Sequence, residues 1–338
     1  MDRLRIGVVG AGPVAERYHM PAIRGVPEVR ATTVVDTDAG RARHFAARYG
    51  FPRWTTQLQE LIGTVDVAVV ALPNGLHAPV SCELLSHGIH VLCEKPMARN
   101  TTECQSMVDA AKRGGAKLCI GHNRRFRTNL RLLKQLLEKG LIGDIVQVQA
   151  EEGSKADWPR SRAYFDPVQS GGGSLMDVGI HSIDLIRWFA GDFRQIEYSG
   201  NATASVVESE AELRFTLANG ARGKLTASRS RELNKQITIT GTEGFAQVGL
   251  WGDNLRIRSN KGKAFQHLPH LDAHVSRRPA ADASFVLQLG NLANAIRGAE
   301  KVLVDGEEGM AAVDVVCRAY QVSSGAPVSQ AVACGGPR

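Results

Sequence analysis

A short apolar run, Leu4 to Val9, breaks into Gly10-Ala11-Gly12-Pro13-Val14-Ala15 and leads straight into a helical pattern reaching Arg24. A strand that turns through closely spaced glycines into a helix is the opening of a parallel βαβ unit, in which the helix carries the chain back to start a second strand beside the first. The N-terminal third keeps that rhythm. Strand-like runs at 31–35, 65–72 and 89–93 alternate with helical patterns at 38–49 and 76–87, and 117–120 adds one more strand. This alternation predicts a doubly wound parallel sheet.

The rhythm changes beyond a helical pattern at 124–139, which ends at Gly140, a residue suited to a left-handed C-cap. Strand-like segments follow at 144–152, 194–206, 209–217, 222–229, 235–241 and 245–250, with turn signals such as Ala218-Asn219-Gly220 and a helix over 174–190 among them. Two helical patterns, 282–299 and 306–323, come last, and the Ala/Gly/Ser-rich tail beyond Pro327 reads as loosely ordered. The expected fold class is α/β: an N-terminal Rossmann-type domain over 1–122, then a C-terminal α+β domain over 123–338 with a large, mostly antiparallel open sheet. A late helix is free to pack back on the first domain.

Composition narrows the function classes. With 338 residues, 43% of them hydrophobic and 22% charged, the chain fits two globular domains. No apolar run reaches membrane-spanning length, and the strand near the N-terminus leaves no room for a signal peptide, so a cytoplasmic protein without membrane association is expected. Six cysteines form no CxxC pair and no zinc spacing, which argues for reduced thiols and no metal. A net charge of +7 is spread along the chain apart from Arg124-Arg125-Phe126-Arg127, and no nucleic-acid-binding motif accompanies it.

Gly10-Ala11-Gly12-Pro13-Val14-Ala15 fits the GxGxxA dinucleotide fingerprint. Its first glycine makes the turn, its second lets a pyrophosphate approach the backbone, and its small last residue allows close helix packing. Gly10, Gly12, Pro13 and Val14 therefore line the expected phosphate site, facing unpaired helix N-terminal amides. Asp36 stands 21 residues beyond Ala15, where a carboxylate accepts from the adenosine ribose hydroxyls and repels a 2′-phosphate. NAD is expected over NADP. Arg41 leaves the phosphorylated cofactor open, and Asp38 reads equally as a helix N-cap.

Asp177 and His181 are four residues apart in a helical pattern and project from one face. A carboxylate and an imidazole so placed share a proton or aim together at a substrate hydroxyl, unless the histidine is a core residue and the aspartate a cap. Asp184 and Trp188 continue that face as structural and packing residues. Gly171-Gly172-Gly173 before the helix is either an ordinary loop or a place where backbone approaches a ligand closely.

Three further segments complete a pattern: Ala71-Leu72-Pro73-Asn74-Gly75-Leu76-His77 after one strand, Cys93-Glu94-Lys95-Pro96 after the next, and Gly173 to Asp184. With the fingerprint they resemble, in order and over nearly the whole chain, the Gfo/Idh/MocA oxidoreductases, the family of glucose–fructose oxidoreductase and inositol 2-dehydrogenase. The resemblance implies a substrate held between the two domains. It also implies a lysine, Lys95, beside the nicotinamide, and Asp177 and His181 at the reacting hydroxyl. Cofactor contacts are implied for Leu72, Asn74, His77, Glu94, Lys95 and Asn123.

Oxidising a carbinol requires the hydroxyl proton to leave as well, so a base is needed within hydrogen-bond reach of that oxygen. His181 suits the task because imidazole titrates near neutrality, while Lys95 suits stabilisation of alkoxide charge. A desolvated Lys95 is the alternative proton carrier. Asp177 is expected to orient one or the other.

Trp158, Arg160, Arg162 and Tyr164 form a polar-aromatic stretch suited to sugar stacking and hydroxyl recognition. Glu151, Glu152, Asp157 and Asp166 leave an amino sugar open, and the arginines a nucleotide sugar. The expected protein is an NAD-dependent dehydrogenase or ketoreductase of a sugar, amino sugar, nucleotide sugar or cyclitol, with substrate contacts from Lys95, Trp158, Arg160, Tyr164, Asp177 and His181. The alternatives are a non-catalytic NAD-sensing regulator of the same fold and a dihydrodiol dehydrogenase-like enzyme. A homodimer or homotetramer is expected through the C-terminal sheet, whose open face would need covering.

Overall fold

A computed structural model describes residues 2–155, 165–203, 206–260 and 283–323. The chain divides into two compact units, Met1–Phe126 with Arg277–Met310, and Arg127–Ser276 with Ala311–Arg338. The Ala/Gly/Ser-rich tail lies outside the described residues.

In the first unit, β1 (Leu4–Val9) carries Ile6 and Val8 fully buried, as a central strand covered on both faces requires. It pairs in parallel with β2 (Val29–Val35) on one side and β4 (Val67–Val70) on the other. With β3 (Arg53–Thr55), β5 (His90–Cys93) and β6 (Leu118–Ile120), the sheet order is β3-β2-β1-β4-β5-β6. The direction of strand addition reverses between β1 and β4, and ligands of open α/β sheets bind outside the strand ends at such a switch.

The helices follow their caps. In α2 (Ala39–Tyr49), Asp38 accepts from the Arg41 amide at 2.9 Å, and left-handed Gly50 ends the helix. Asp38 is thus an N-cap. No helix was expected between 96 and 117, yet α4 (Thr101–Gly114) is there, capped by Asn100 on the Glu103 amide at 2.9 Å and closed by Gly115. Its Asn-x-x-Glu start and following glycine were legible signals. β3 was also unforeseen, being only three residues long. Beyond α1 (Met20–Gly25) and α3 (Asn74–Ser86), a late helix, α8 (Ala283–Ile296), sends Phe285, Leu289 and Leu292 into the core that holds Ile6 and Val8.

The helix expected over 124–139 is two elements: a 3₁₀ turn, Asn123–Phe126, and α5 (Thr128–Glu138). The basic run there points inward rather than forming a patch. Arg124 is 5% and Arg125 2% exposed, and Arg125 pairs with Glu308 at 2.7 Å.

The second unit is built on β7 (Ile145–Gly153), β8 (Phe193–Gly200), β9 (Glu210–Leu217), β10 (Arg222–Ser228), β11 (Gln236–Gly241), β12 (Gly244–Gly249) and β13 (Leu255–Ser259). Their order is β13-β12-β11-β7-β10-β9-β8, and every described neighbour is antiparallel except β7 with β10. One face carries Val148, Ala150, Leu213, Leu225, Ala227, Ile237 and Ile239, all buried. Against it lies α7 (Ile180–Ala190), entered through a π-helical turn, Leu175–Gly179, that packs on β7 and β10. The other face presents Gln147, Gln149, Arg214, Lys224 and Thr238, half-buried or exposed. It is hydrophilic, so apolar surface does not demand the covering expected from the sequence. Among the described residues, no helix is long and apolar enough to cross a membrane.

Candidate active site

The first unit shapes a nucleotide cradle at its switch point. Gly10 has φ of +97°, and a Cβ there would strike the Ala71 carbonyl, so only glycine fits. A Cβ on Gly12 would meet no protein atom within 4 Å. The protein therefore does not need a glycine at 12, but a diphosphate brought against the backbone would. The helix that follows begins with a π-helical turn, Ala15–His19, a feature frequent at functional sites.

Asp36 stands immediately after β2, with a side chain 8% exposed. Its Oδ2 accepts from the Ala11 amide at 3.0 Å and Arg41 Nε at 3.0 Å, while Oδ1 accepts from the Asp38 amide at 3.0 Å and Arg41 Nη2 at 2.7 Å. Burial alone would raise its pKa, but these bonds, led by Arg41, outweigh it and hold the carboxyl below its ordinary value. Four donor atoms thus engage the carboxylate that the sequence assigns to ribose hydroxyls, and the half-exposed Arg41 is the only flexible side chain among them.

The Glu94-Lys95-Pro96 segment leaves β5 with a cis Lys95–Pro96 peptide. Glu94 is buried; its Oε1 lies 2.8 Å from His19 Nε2 and its Oε2 accepts from the Lys95 amide at 3.2 Å. Burial opposes its charge, yet His19 and the neighbouring cationic groups keep its pKa below the usual range. The fingerprint helix is thereby tied to the lysine-bearing loop. His77 was expected to touch the cofactor. Its ring is 1% exposed, with Nδ1 2.7 Å from the Pro96 carbonyl and Nε2 2.8 Å from the Leu72 carbonyl. The ring fills the gap between the two loops with a carbonyl against each nitrogen; burial pushes its pKa down, and the neutral ring donates its one N–H to one of the two. Asn123 is likewise turned inward, donating to Ser284 Oγ at 2.8 Å. Asn74 opens α3, and Lys95 is half-buried.

In the second unit Asp177 lies in the π-helical turn and His181 in the first turn of α7, both half-buried. Asp177 was expected to orient the histidine or lysine. Its Oδ2 lies 3.4 Å from Nε of Arg229, which is 8% exposed and follows β10 directly. Nothing in the local sequence around Arg229 marks it; only the sheet brings it under the turn.

Of the three glycines before the turn, Gly171 is a left-handed helix C-cap with φ of +74°, and the other two are explained by packing. A Cβ on Gly172 would collide with Tyr320, and one on Gly173 with Glu208. The loop approaches its own protein closely. The acidic residues offered as amine partners are also occupied: Glu152 accepts from Ser182 Oγ at 2.9 Å, Glu151 from Asn234 at 2.6 Å, and Asp166 caps the short helix α6 (Pro167–Ser170). Asp184 is buried and Trp188 stacks at a tilt on Phe189 at 5.3 Å. Trp158, Arg160, Arg162, Tyr164 and Asp157 lie outside the described residues. No metal-ligating cluster occurs among those that are described.

Comparison with known proteins agrees with this geometry. Residues 4–122 match the oxidoreductase family with an NAD-binding Rossmann fold, and 130–247 match the GFO/IDH/MocA C-terminal domain. Trans-1,2-dihydrobenzene-1,2-diol dehydrogenase of Mus musculus is 30% identical over 270 residues, 78% of this chain and 80% of the relative. The scyllo-inositol 2-dehydrogenase (NADP(+)) IolU of Bacillus subtilis is 30% identical, over 61% of this chain and 64% of that one. The crystal structure of aldose-aldose oxidoreductase from Caulobacter crescentus superposes with a TM-score of 0.85 at 24% identity, covering 96% of this chain and 98% of that one, a likeness of fold. The WlbA dehydrogenase of Bordetella pertussis, in complex with NADH and UDP-GlcNAcA, has a TM-score of 0.81 at 25% identity and 96% coverage of each chain. With a fingerprint cradle, a lysine-bearing loop braced behind it and both domains matched in order, this chain belongs to the Gfo/Idh/MocA family of oxidoreductases.

Proposed function

We propose that the protein is a dehydrogenase or ketoreductase using NAD in preference to NADP and interconverting a secondary alcohol and a ketone on a sugar or cyclitol. The observation that carries this reading is the joint presence of Lys95, rooted in the Glu94–His19 brace, and Asp177 with His181 on a braced turn backed by Arg229. A protein that only senses nucleotide has no use for the second set. Gly10, Gly12, Pro13, Val14, Leu72 and Asn74 would hold the cofactor. When bound, the nicotinamide supplies the hydride acceptor or donor. The first unit serves the cofactor and the second the substrate.

His181 accepts the hydroxyl proton, or returns it, at neutral pH, and the Lys95 ammonium stabilises alkoxide charge; the exchange of these two roles is the other arrangement the residues allow. Asp177, its charge offset by Arg229, accepts a hydrogen bond from a substrate hydroxyl. The relatives that act on inositol and on levoglucosan support a polyol substrate. The dihydrodiol dehydrogenases, similar over more than two thirds of their length, support a cyclic trans-diol as the second reading. A cytoplasmic location belongs to the same proposal, supported by Cys93 and Cys119 standing as buried thiols. Assembly as a homodimer or homotetramer through the second sheet belongs to the same proposal, as a polar rather than apolar contact.

The test is NADH formation on challenge with levoglucosan, scyllo-inositol, trans-dihydrobenzenediol and a nucleotide sugar. Turnover of a polyol, lost in Lys95→Ala, is expected. Tight NAD binding with no turnover across the panel would favour the sensor.

A further inference from the structure

Glu208 has no place in the chemistry above, yet it is a carboxylate only 2% exposed in a stretch between strands. Its surroundings account for it. Oε2 accepts from the Gly173 amide at 3.1 Å and Oε1 from the Leu175 amide at 3.0 Å, while the Glu208 carbonyl accepts from the Ser174 amide at 2.8 Å. Three successive amides at the head of the π-helical turn thus end on one residue. Tyr320, in α9 (Gly306–Ser323), donates its hydroxyl to Glu208 Oε1 at 2.7 Å and accepts from the Gly173 amide at 3.2 Å. Tyr198 meets the Tyr320 ring edge-on at 5.4 Å.

We infer that Glu208 and Tyr320 are positioning residues for the proposed reaction: together they set the register of the turn that presents Asp177, and with it the entry to the helix of His181. This rests on the reading of Asp177 as a substrate-facing group. The physical case is that helix N-terminal amides need acceptors, and a buried charged acceptor bonded to several of them is more directional than water. Gly172 and Gly173 admit no Cβ against this pair, so the loop, Glu208 and Tyr320 fit only as a set. Two residues N-terminal to Asp177, the Leu175 amide is held; four residues N-terminal, the Gly173 carbonyl accepts from the Asp177 amide at 3.0 Å. Burial beside Glu208 pushes the Tyr320 phenol well above its ordinary pKa, so it stays a donor across the working range.

The test is a double-mutant cycle of Tyr320→Phe with Asp177→Ala, using the panel alcohol turned over fastest, well below the melting temperature of each variant. Tyr320→Phe should lower kcat about tenfold with KM for NAD unchanged, and should have no further effect in the Asp177→Ala background. Amide exchange at Gly173 and Leu175 should accelerate in Tyr320→Phe while the first unit is unaffected. Glu208→Gln should behave like Tyr320→Phe, because its amide group would face a backbone N–H with another N–H. A purely structural role would lower the melting temperature but leave kcat per folded molecule intact, and that result overturns the inference. So does a Tyr320→Phe effect that multiplies in full with Asp177→Ala. Normal turnover by Asp177→Ala alone would overturn the reading of the site on which the inference rests.

Discussion

The nucleotide cradle and the Asp177 turn solve the same problem in opposite ways. In the cradle, chemistry-bearing residues lie within a few positions of a strand end, and long-range side chains such as His19 and His77 grip the loops from behind. In the turn, the backbone itself is held by residues more than thirty positions away, Glu208 and Tyr320, and the key carboxylate is paired with Arg229, just beyond the end of β10. In the first arrangement the chemistry-bearing residues are marked locally, although the side chains that brace them are not. The second exists only when the sheet of the second unit has assembled.

The contrast predicts different failures. The largest effect should be on chemistry: Lys95→Ala and His181→Ala should each lower kcat by about 10²–10⁴, with NAD affinity measured by fluorescence titration nearly intact. Near-normal turnover in either variant would remove its chemical role. Next, Gly10→Ala places a Cβ against the Ala71 carbonyl in a left-handed backbone and should destabilise the first unit by at least about 1–2 kcal/mol in urea unfolding, with loss of NAD binding. The second unit should keep its own exchange protection.

A smaller effect concerns cofactor choice. Arg41→Ala removes the guanidinium from Asp36 and leaves its carboxylate open to ribose hydroxyls, so the ratio of NAD to NADP affinity should rise, by about tenfold for one charge-assisted contact of about 1.4 kcal/mol. An unchanged ratio would show that Arg41 does not act on the ribose side. The smallest effect is on acid stability. Asp36 and Glu94 have lowered pKa values in the folded chain, so they contribute stability that is fully present above the ordinary carboxylate pKa of about 4 and is lost as pH falls through their folded values. Asp36→Asn should flatten that acid limb in unfolding measured from pH about 5 downward. A limb as steep as before would assign the linkage to other groups.

Much of the fold could be read directly because its signals are local. Gly10 and Gly12 sit where strand meets helix, and the apolar runs of β1, β4 and β5 report burial on both faces. α4 carries local signals of the same kind, Asn100 and Glu103 at its start and Gly115 at its end. The parallel pairing of β7 with β10 had no such marker, since pairing between strands about seventy-five residues apart leaves no trace in either.

The candidate site divides along the same line. Lys95, Asp177 and His181 were identified by spacing and motif, whereas Arg229, Glu208, Tyr320 and His19 were not, being ordinary residues in their local contexts. His77, expected at the cofactor, has both ring nitrogens against backbone carbonyls, and of the loop's two readings the packing of Gly172 and Gly173 on Tyr320 and Glu208 fits the ordinary one, because a motif names the residue but not the atoms that reach its side chain first.

By itself, the sequence determined the parallel first unit, the phosphate turn and the candidates for proton handling, since strand burial, glycine geometry and side-chain chemistry are properties of short segments. The tertiary structure alone decided that Asp36 is held by Arg41, that Asp177 is paired with Arg229 and that the turn beneath it ends on Glu208. Those depend on which distant groups arrive within about 3 Å of one another, and hydrogen bonds and ion pairs at that range are set by packing, not by neighbourhood in the chain.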